Sequence, residues 1–142
     1  MIILDLNVLL YALDADSVRH ERAAAWLEEA VNGADAEIGL PWAVILGFLR
    51  LATSPRVFPR PLSIEHALNW IRGLADQPSV RIPDPGKAHL GILGHLLLTT
   101  GAGGNLTTDA HLAALCLEQD AAIVTGDRDF LRFPGLRVEL LY

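Results

Sequence analysis

Two short stretches of the chain bring carboxylates out directly behind apolar runs. They are "IILDLN" at residues 2–7, with Asp5 and Asn7, and "IVTGDRDF" at residues 123–130, with Asp127 and Asp129. A third acid, Asp109, follows Thr107 and Thr108 at the head of a helical pattern whose face continues through Leu112, Ala113 and Cys116. A carboxylate buried without a partner costs roughly several kcal/mol, and three acids at element ends would repel one another. A bound hard cation removes that repulsion, and a donor set made only of oxygen points to Mg²⁺ or Mn²⁺. Such a site suits phosphodiester hydrolysis: the cation lowers the pKa of the attacking water, and no histidine is required as a base.

Each acid also has a plainer reading. Asp109 fits the first turn of a helix, where the macrodipole favours a carboxylate, and Asp127 in "TGDRD" fits a turn. Asp5, inside "MIILDLNVLLYAL", resists that treatment. On the helix "AVILGFLRLAT", Ala43, Gly47 and Arg50 share a face by their spacing. Arg50 either pairs with a site carboxylate or meets a phosphate through its planar fork, and both readings place it near the acids. His111 points about 200° around its helix from Asp109, so it reads as surface or packing. His20, His66, His89 and His95 form no ligand spacing.

The elements that must hold these residues alternate. "IILDL" reads as a strand, with Asn7 capping a helix behind it. Ser17 opens a helix to about Asn32, stopped by Gly33, and "AEIGL" is a weak strand. Pro41 starts a helix to about Thr53, and Ser63 caps another with Ile64, Ala67, Leu68, Ile71, Leu74 and Ala75 at helical spacing. After the strand "SVRIP", Pro85 or Gly86 starts a helix ending at Gly101, and "GAGGN" turns. Thr107 or Thr108 caps a helix from Asp109 to about Gln119, followed by strands "AAIVT" and "LRVELL". Alternation with short connections means a parallel sheet covered on both faces. Ligands of such sheets bind beyond the carboxyl ends of the strands, so Asp5 and Asp127 face each other if their strands are neighbours.

The 142 residues fit one α/β domain spanning residues 1–142. With 51% hydrophobic and 20% charged residues the chain is neither disordered nor low in complexity. Its single cysteine, Cys116, excludes a disulfide framework and suits a reducing cytoplasm. The N-terminus is a poor signal peptide and no run reaches ~18 uninterrupted apolar residues, so no membrane span is expected. A net charge of −6 is unusual for a passive nucleic-acid binder, so an acidic chain acting on phosphates needs cations in its site, a basic partner, or both.

"ILDLNVLLYAL", "WAVILGFLRLATSPRVF" and "GAGGNLTTDAHLAALCLEQDAAIVTGDRDFLRFPGL" together resemble the PIN-domain ribonucleases, in particular the VapC-type toxins of bacterial toxin–antitoxin pairs. The resemblance covers nearly the whole chain. It implies a three-layer α/β/α fold around a central parallel sheet of about five strands. It also implies that Asp5, Asp109 and Asp127 hold Mg²⁺ or Mn²⁺ and carry catalysis. Asn7, Arg50, Thr125 and Asp129 would be accessory site residues, and Asp127 falls in a T-x-D-x-D-F pattern. An RNA substrate, a cognate antitoxin and a homodimer follow from the same likeness. One departure stands out. Most such nucleases carry a glutamate on the helix after the second strand, and here Gly47 stands near that place, as in a branch with the "GFLR" form. Two alternatives follow. The chain is a PIN domain that binds RNA or its partner without cutting, or it resembles a haloacid-dehalogenase-like phosphatase. The phosphatase needs a second acid two residues after the first, where this chain has Asn7.

Overall fold

The computed structural model describes residues 1–101 and 103–142. Its most apolar short runs form the middle of the sheet. β1 (Ile2–Leu4) and β4 (Ala122–Thr125) lie side by side and parallel, pairing Ile2 with Ala122, Ile3 with Ile123 and Leu4 with Val124. Outside them run β2 (Ile38–Gly39) and β3 (Val80–Arg81) on one edge and β5 (Arg137–Leu140) on the other. The order is β3-β2-β1-β4-β5, parallel throughout. Parallel neighbours require crossovers, and right-handed ones fix the layers. α1 (Leu6–Leu13), α2 (His20–Asn32), α3 (Trp42–Ala52) and α4 (Ile64–Ala75) cover one face, with α1 packed on α2 and α3, and α3 on α4. α5 (His89–Thr100) and α6 (Thr107–Gln119) pair on the other. The expected three-layer α/β/α fold with five parallel strands is the observed one.

The core is one cluster in which Ile3, Leu4, Ile123 and Val124 from the sheet meet Phe48, Leu115 and Phe130 from its covers. Cys116 lies within it, and burial pushes its thiol up to about 12. Trp70 stacks on Phe48 at 4.9 Å, Trp26 donates its indole N–H to Glu139 Oε1 at 2.9 Å, and Trp42 is exposed. No described helix is long and apolar enough to cross a membrane.

Several boundaries differ from expectation. Asn7 is inside the first turn of α1 instead of capping it; the cap position belongs to Asp5, in extended backbone. α2 begins at His20, after a loop in which Ser17 Oγ accepts from Arg19 N at 3.1 Å. α5 begins at His89 because Gly86 N is drawn out of helix geometry to Glu118 Oε2 on α6, at 2.9 Å. Thr107 and Thr108 lie inside α6, which follows a 3-10 turn at Gly104–Leu106; the "GAGGN" turn includes Ala102, outside the described residues. Ser63 does cap α4, accepting from His66 N at 3.1 Å, and Gly101 ends α5 with φ +64°, where glycine carries no steric penalty.

Candidate functional site

β1 and β4 are the point where successive crossovers change face, and the crevice beyond their carboxyl ends collects the acids. Asp5 follows β1 directly and extends its ladder, donating its N–H to Val124 O at 3.0 Å. Its side chain, 5% exposed, makes no cap bond to α1. Instead Thr125 Oγ1 donates to Asp5 Oδ2 at 2.7 Å. That same hydroxyl, fully buried at the end of β4, accepts from Asp127 N at 2.9 Å. Asp127 Oδ1 in turn accepts from Asp129 N at 2.8 Å, capping a 3-10 turn at Arg128–Arg132. The turn reading of Asp127 is therefore realised for one carboxylate oxygen, while its backbone is tied to Asp5 through Thr125.

Asp109 sits in the first turn of α6 and caps nothing. Burial, then the charges of Asp5, Asp127 and Asp129, push its carboxyl up to about 6. Burial also raises Asp5, with the Asp127 charge adding to it, against the lowering effect of the Thr125 and Leu6 hydrogen bonds. Four acids from β1, α6 and the loop after β4 thus feel one another. Asp5, Asn7, Arg50, Asn105, Thr108 and Asp109 border one cavity of about 250 Å³.

Arg50 reaches that cavity differently from expectation. It is exposed and forms no ion pair among the described residues. The apolar composition of α3 does not mean a buried helix: Trp42 and Leu46, 54% and 60% exposed, share the outward stripe on which Arg50 lies. Gly47, in contrast, is buried under α1. A Cβ there would stand 2.6 Å from Leu6 Cδ2, so the Leu6 side chain occupies the space a longer residue at this position would need.

Asn105 and Thr108 were missed as lining residues, although a loop feeding a site helix ends at the same sheet edge. Also missed was a part-buried chain on the α5–α6 layer. His89 Nδ1 meets Glu118 Oε1 at 2.6 Å and His89 Nε2 meets His111 Nδ1 at 2.8 Å, so His111 is a packing residue with a specific partner.

The donor chemistry of the crevice suits a hard divalent cation. Asp5, Asp109 and Asp127 offer oxygen alone, have no basic partner among the described residues, and two of them are held above the ordinary carboxylate range. Among the described residues no three His, Cys, Asp or Glu side chains are grouped so as to hold a metal ion as they stand.

Residues 2–136 match the PIN domain family model. Ribonuclease VapC37 of Mycobacterium tuberculosis is 44% identical over 137 residues, covering 96% of this chain and 94% of that protein. Ribonuclease VapC33 of the same organism is also 44% identical, over 96% of this chain and 95% of its own length. Among solved structures, the chain resembles VapBC2 from Rickettsia felis bound to a DNA fragment from their promoter. The TM-score is 0.72 with 19% identity, over 99% of this chain and 98% of that one. VapBC-1 from nontypeable Haemophilus influenzae gives 0.70 with 18% identity and the same coverage.

Proposed function

This chain belongs to the PIN domain family, and from that premise we propose that it is a metal-dependent endoribonuclease toxin of the VapC type. It hydrolyses RNA phosphodiester bonds, works in the cytoplasm as a homodimer, and is neutralised by a cognate antitoxin. The observation that supports this reading is the electrostatic coupling of Asp109 to Asp5 and Asp127, and of Asp5 to Asp127, with no basic partner for the three acids among the described residues.

In this reading Asp5, Asp109 and Asp127 hold Mg²⁺ or Mn²⁺. When bound, the cation supplies charge neutralisation for the phosphate and lowers the pKa of water. The chain's own residues do the positioning. Thr125, held by β4, aims Asp5 by donating to Oδ2 and leaves Oδ1 for the cation. Its second bond, from Asp127 N, sets the distance between the acids that flank the crevice. Asp129 adds negative charge at the rim and fixes Asp127 through its own N–H. Asn7 and Arg50 stand at the cavity wall, where an amide and a guanidinium can orient a phosphate.

The test is incubation of antitoxin-free protein with total RNA, with Mg²⁺, with Mn²⁺ and with EDTA, mapping the cut ends. Cleavage is expected with either metal, and is lost with EDTA and in Asp5→Asn. One observation favours a second reading. The space beside Gly47 is filled by Leu6, so the site has three principal acids where most PIN nucleases have a fourth. RNA binding without any cut ends in either metal would establish that reading, a passive binding module, and end the nuclease proposal.

A further inference from the structure

At the same sheet edge three residues come together that the chemistry above does not use. Arg19 ends the loop between α1 and α2. Its guanidinium lies over the Tyr142 ring, 4.5 Å from the centroid, and over the Tyr11 ring at 5.4 Å. The two rings meet edge to face with centroids 5.6 Å apart. Tyr11 stands one helical turn beyond Asn7 on α1, on the same side of that helix. Tyr142 follows β5, where Leu141 N donates to Thr125 O at 2.9 Å, and this bond carries its ring across Gly126. A Cβ at Gly126 would stand 2.6 Å from Tyr142 Cδ2 and Cε2 and 3.4 Å from Arg19 Nη1. Gly126 lies between Thr125 and Asp127, so the guanidinium stands one residue away from the hydroxyl that links Asp5 to Asp127.

Among the described residues the guanidinium of Arg19 makes no hydrogen bond and no ion pair. Stacking occupies the faces of an arginine and leaves the donor edge, which is the edge that fits a phosphate. An arginine already fixed by aromatic rings also loses little freedom when it binds. The chain carries a net charge of −6 and gathers four acids here, so a strand threading the crevice must find positive charge beside them.

We infer that Arg19, preset by Tyr11 and Tyr142, is a substrate-binding residue that engages a backbone phosphate of the RNA strand next to the one being hydrolysed. This rests on the ribonuclease reading, and it adds a positive anchor beside the acids. A purely structural arginine, stapling Tyr142 to the α1–α2 loop, would change melting temperature and nothing else. The salt dependence of binding separates the two.

The experiment uses the full chain in an Asp5→Asn background and a single-stranded RNA oligonucleotide of mixed sequence, with affinity measured in Mg²⁺ over a salt series. Arg19→Gln is expected to weaken binding about threefold to tenfold and to flatten the slope of log K against log salt by about 0.7, one phosphate contact on a single strand. Arg19→Lys keeps the charge and the slope while losing part of the affinity, because the planar stack is gone. Arg81→Gln, at an exposed position on β3 paired with Glu37, changes neither. In the cleaving protein, Arg19→Gln raises KM more than it lowers kcat. An unchanged slope in Arg19→Gln overturns the inference, even if the melting temperature falls. If the unsubstituted protein leaves RNA uncut and the Asp5→Asn protein does not bind it, the ribonuclease reading fails, and this inference with it.

Discussion

Replacing Asp109 by asparagine should stabilise the metal-free protein while destroying its proposed chemistry, and the stabilisation should depend on pH. The carboxyl is pushed from its ordinary value of 3.8 up to about 6, first by burial and then by Asp5, Asp127 and Asp129. A folded-state pKa above the unfolded one means that the native protein binds more protons between those values. Stability contributed by this group is therefore fully present below about pH 4 and is lost as pH rises through about 6. A rise from 3.8 to about 6 is worth about 3 kcal/mol at about 1.4 kcal/mol per pH unit. Asp109 stays half-buried, and solvent screening reduces this to about 1 kcal/mol. Asparagine carries no charge, so at about pH 7.5 Asp109→Asn should raise the melting temperature by roughly 2–4 °C in EDTA. At about pH 4.5 the gain should fall to about a third, since the native carboxyl is then neutral while the unfolded one is still mostly ionised. Thermal unfolding of the two proteins across that range is the assay. A loss of stability at pH 7.5, or a shift that is the same at both pH values, would refute the placement of Asp109 within the acidic cluster.

Other outcomes follow from the same contacts. Mg²⁺ or Mn²⁺ should raise the melting temperature of the unsubstituted protein, more at pH 7.5 than at pH 5, because Asp109 takes up a proton below about 6. Thr125→Val removes the hydroxyl shared by Asp5 Oδ2 and Asp127 N, and should cost about 1–3 kcal/mol in urea unfolding and more than tenfold in RNA cleavage. Gly47→Glu does not restore a missing ligand. Its Cβ meets Leu6 Cδ2 at 2.6 Å, so stability should fall by about 1–3 kcal/mol and cleavage with it, and adding Leu6→Ala should return part of the stability in a double-mutant cycle. Glu118→Gln weakens the 2.6 Å bond to buried His89, costing about 1–3 kcal/mol in unfolding while cleavage per folded molecule stays unchanged.

The features legible in the sequence were those set by neighbours along the chain. Ser63 and Gly101 act at helix ends through local geometry, and the apolar runs of β1 and β4 announce central strands whatever surrounds them. Asp5 could be picked out because an acid directly behind such a run has nowhere neutral to go. The errors came from contacts between distant residues. Glu118 on α6 holds Gly86 and delays α5, which no propensity near residue 86 encodes. The apolar composition of α3 suggested burial, yet Trp42 and Leu46 face solvent, and Arg50 is exposed with them. The Arg19 stack joins Tyr11 to Tyr142 across almost the whole chain, and only the folded sheet brings them together.

The location of the acids follows from topology more than from any one residue. α1 leaves β1 on one face, and α6 returns to β4 on the other, so both helices begin at the carboxyl ends of adjacent strands. Among the described strands, no other neighbouring pair has crossovers on opposite faces. Two helix N-termini border the crevice, and their partial positive charge helps to tolerate carboxylates there. That tolerance is incomplete, as the raised carboxyls of Asp5 and Asp109 show. The residual repulsion keeps the crevice receptive to positive charge. A divalent ion, or a cationic side chain from a partner, would relieve the same strain and compete for the same oxygens. A partner that placed a guanidinium or ammonium within reach of Asp5 and Asp109 would therefore block the site without resembling the RNA.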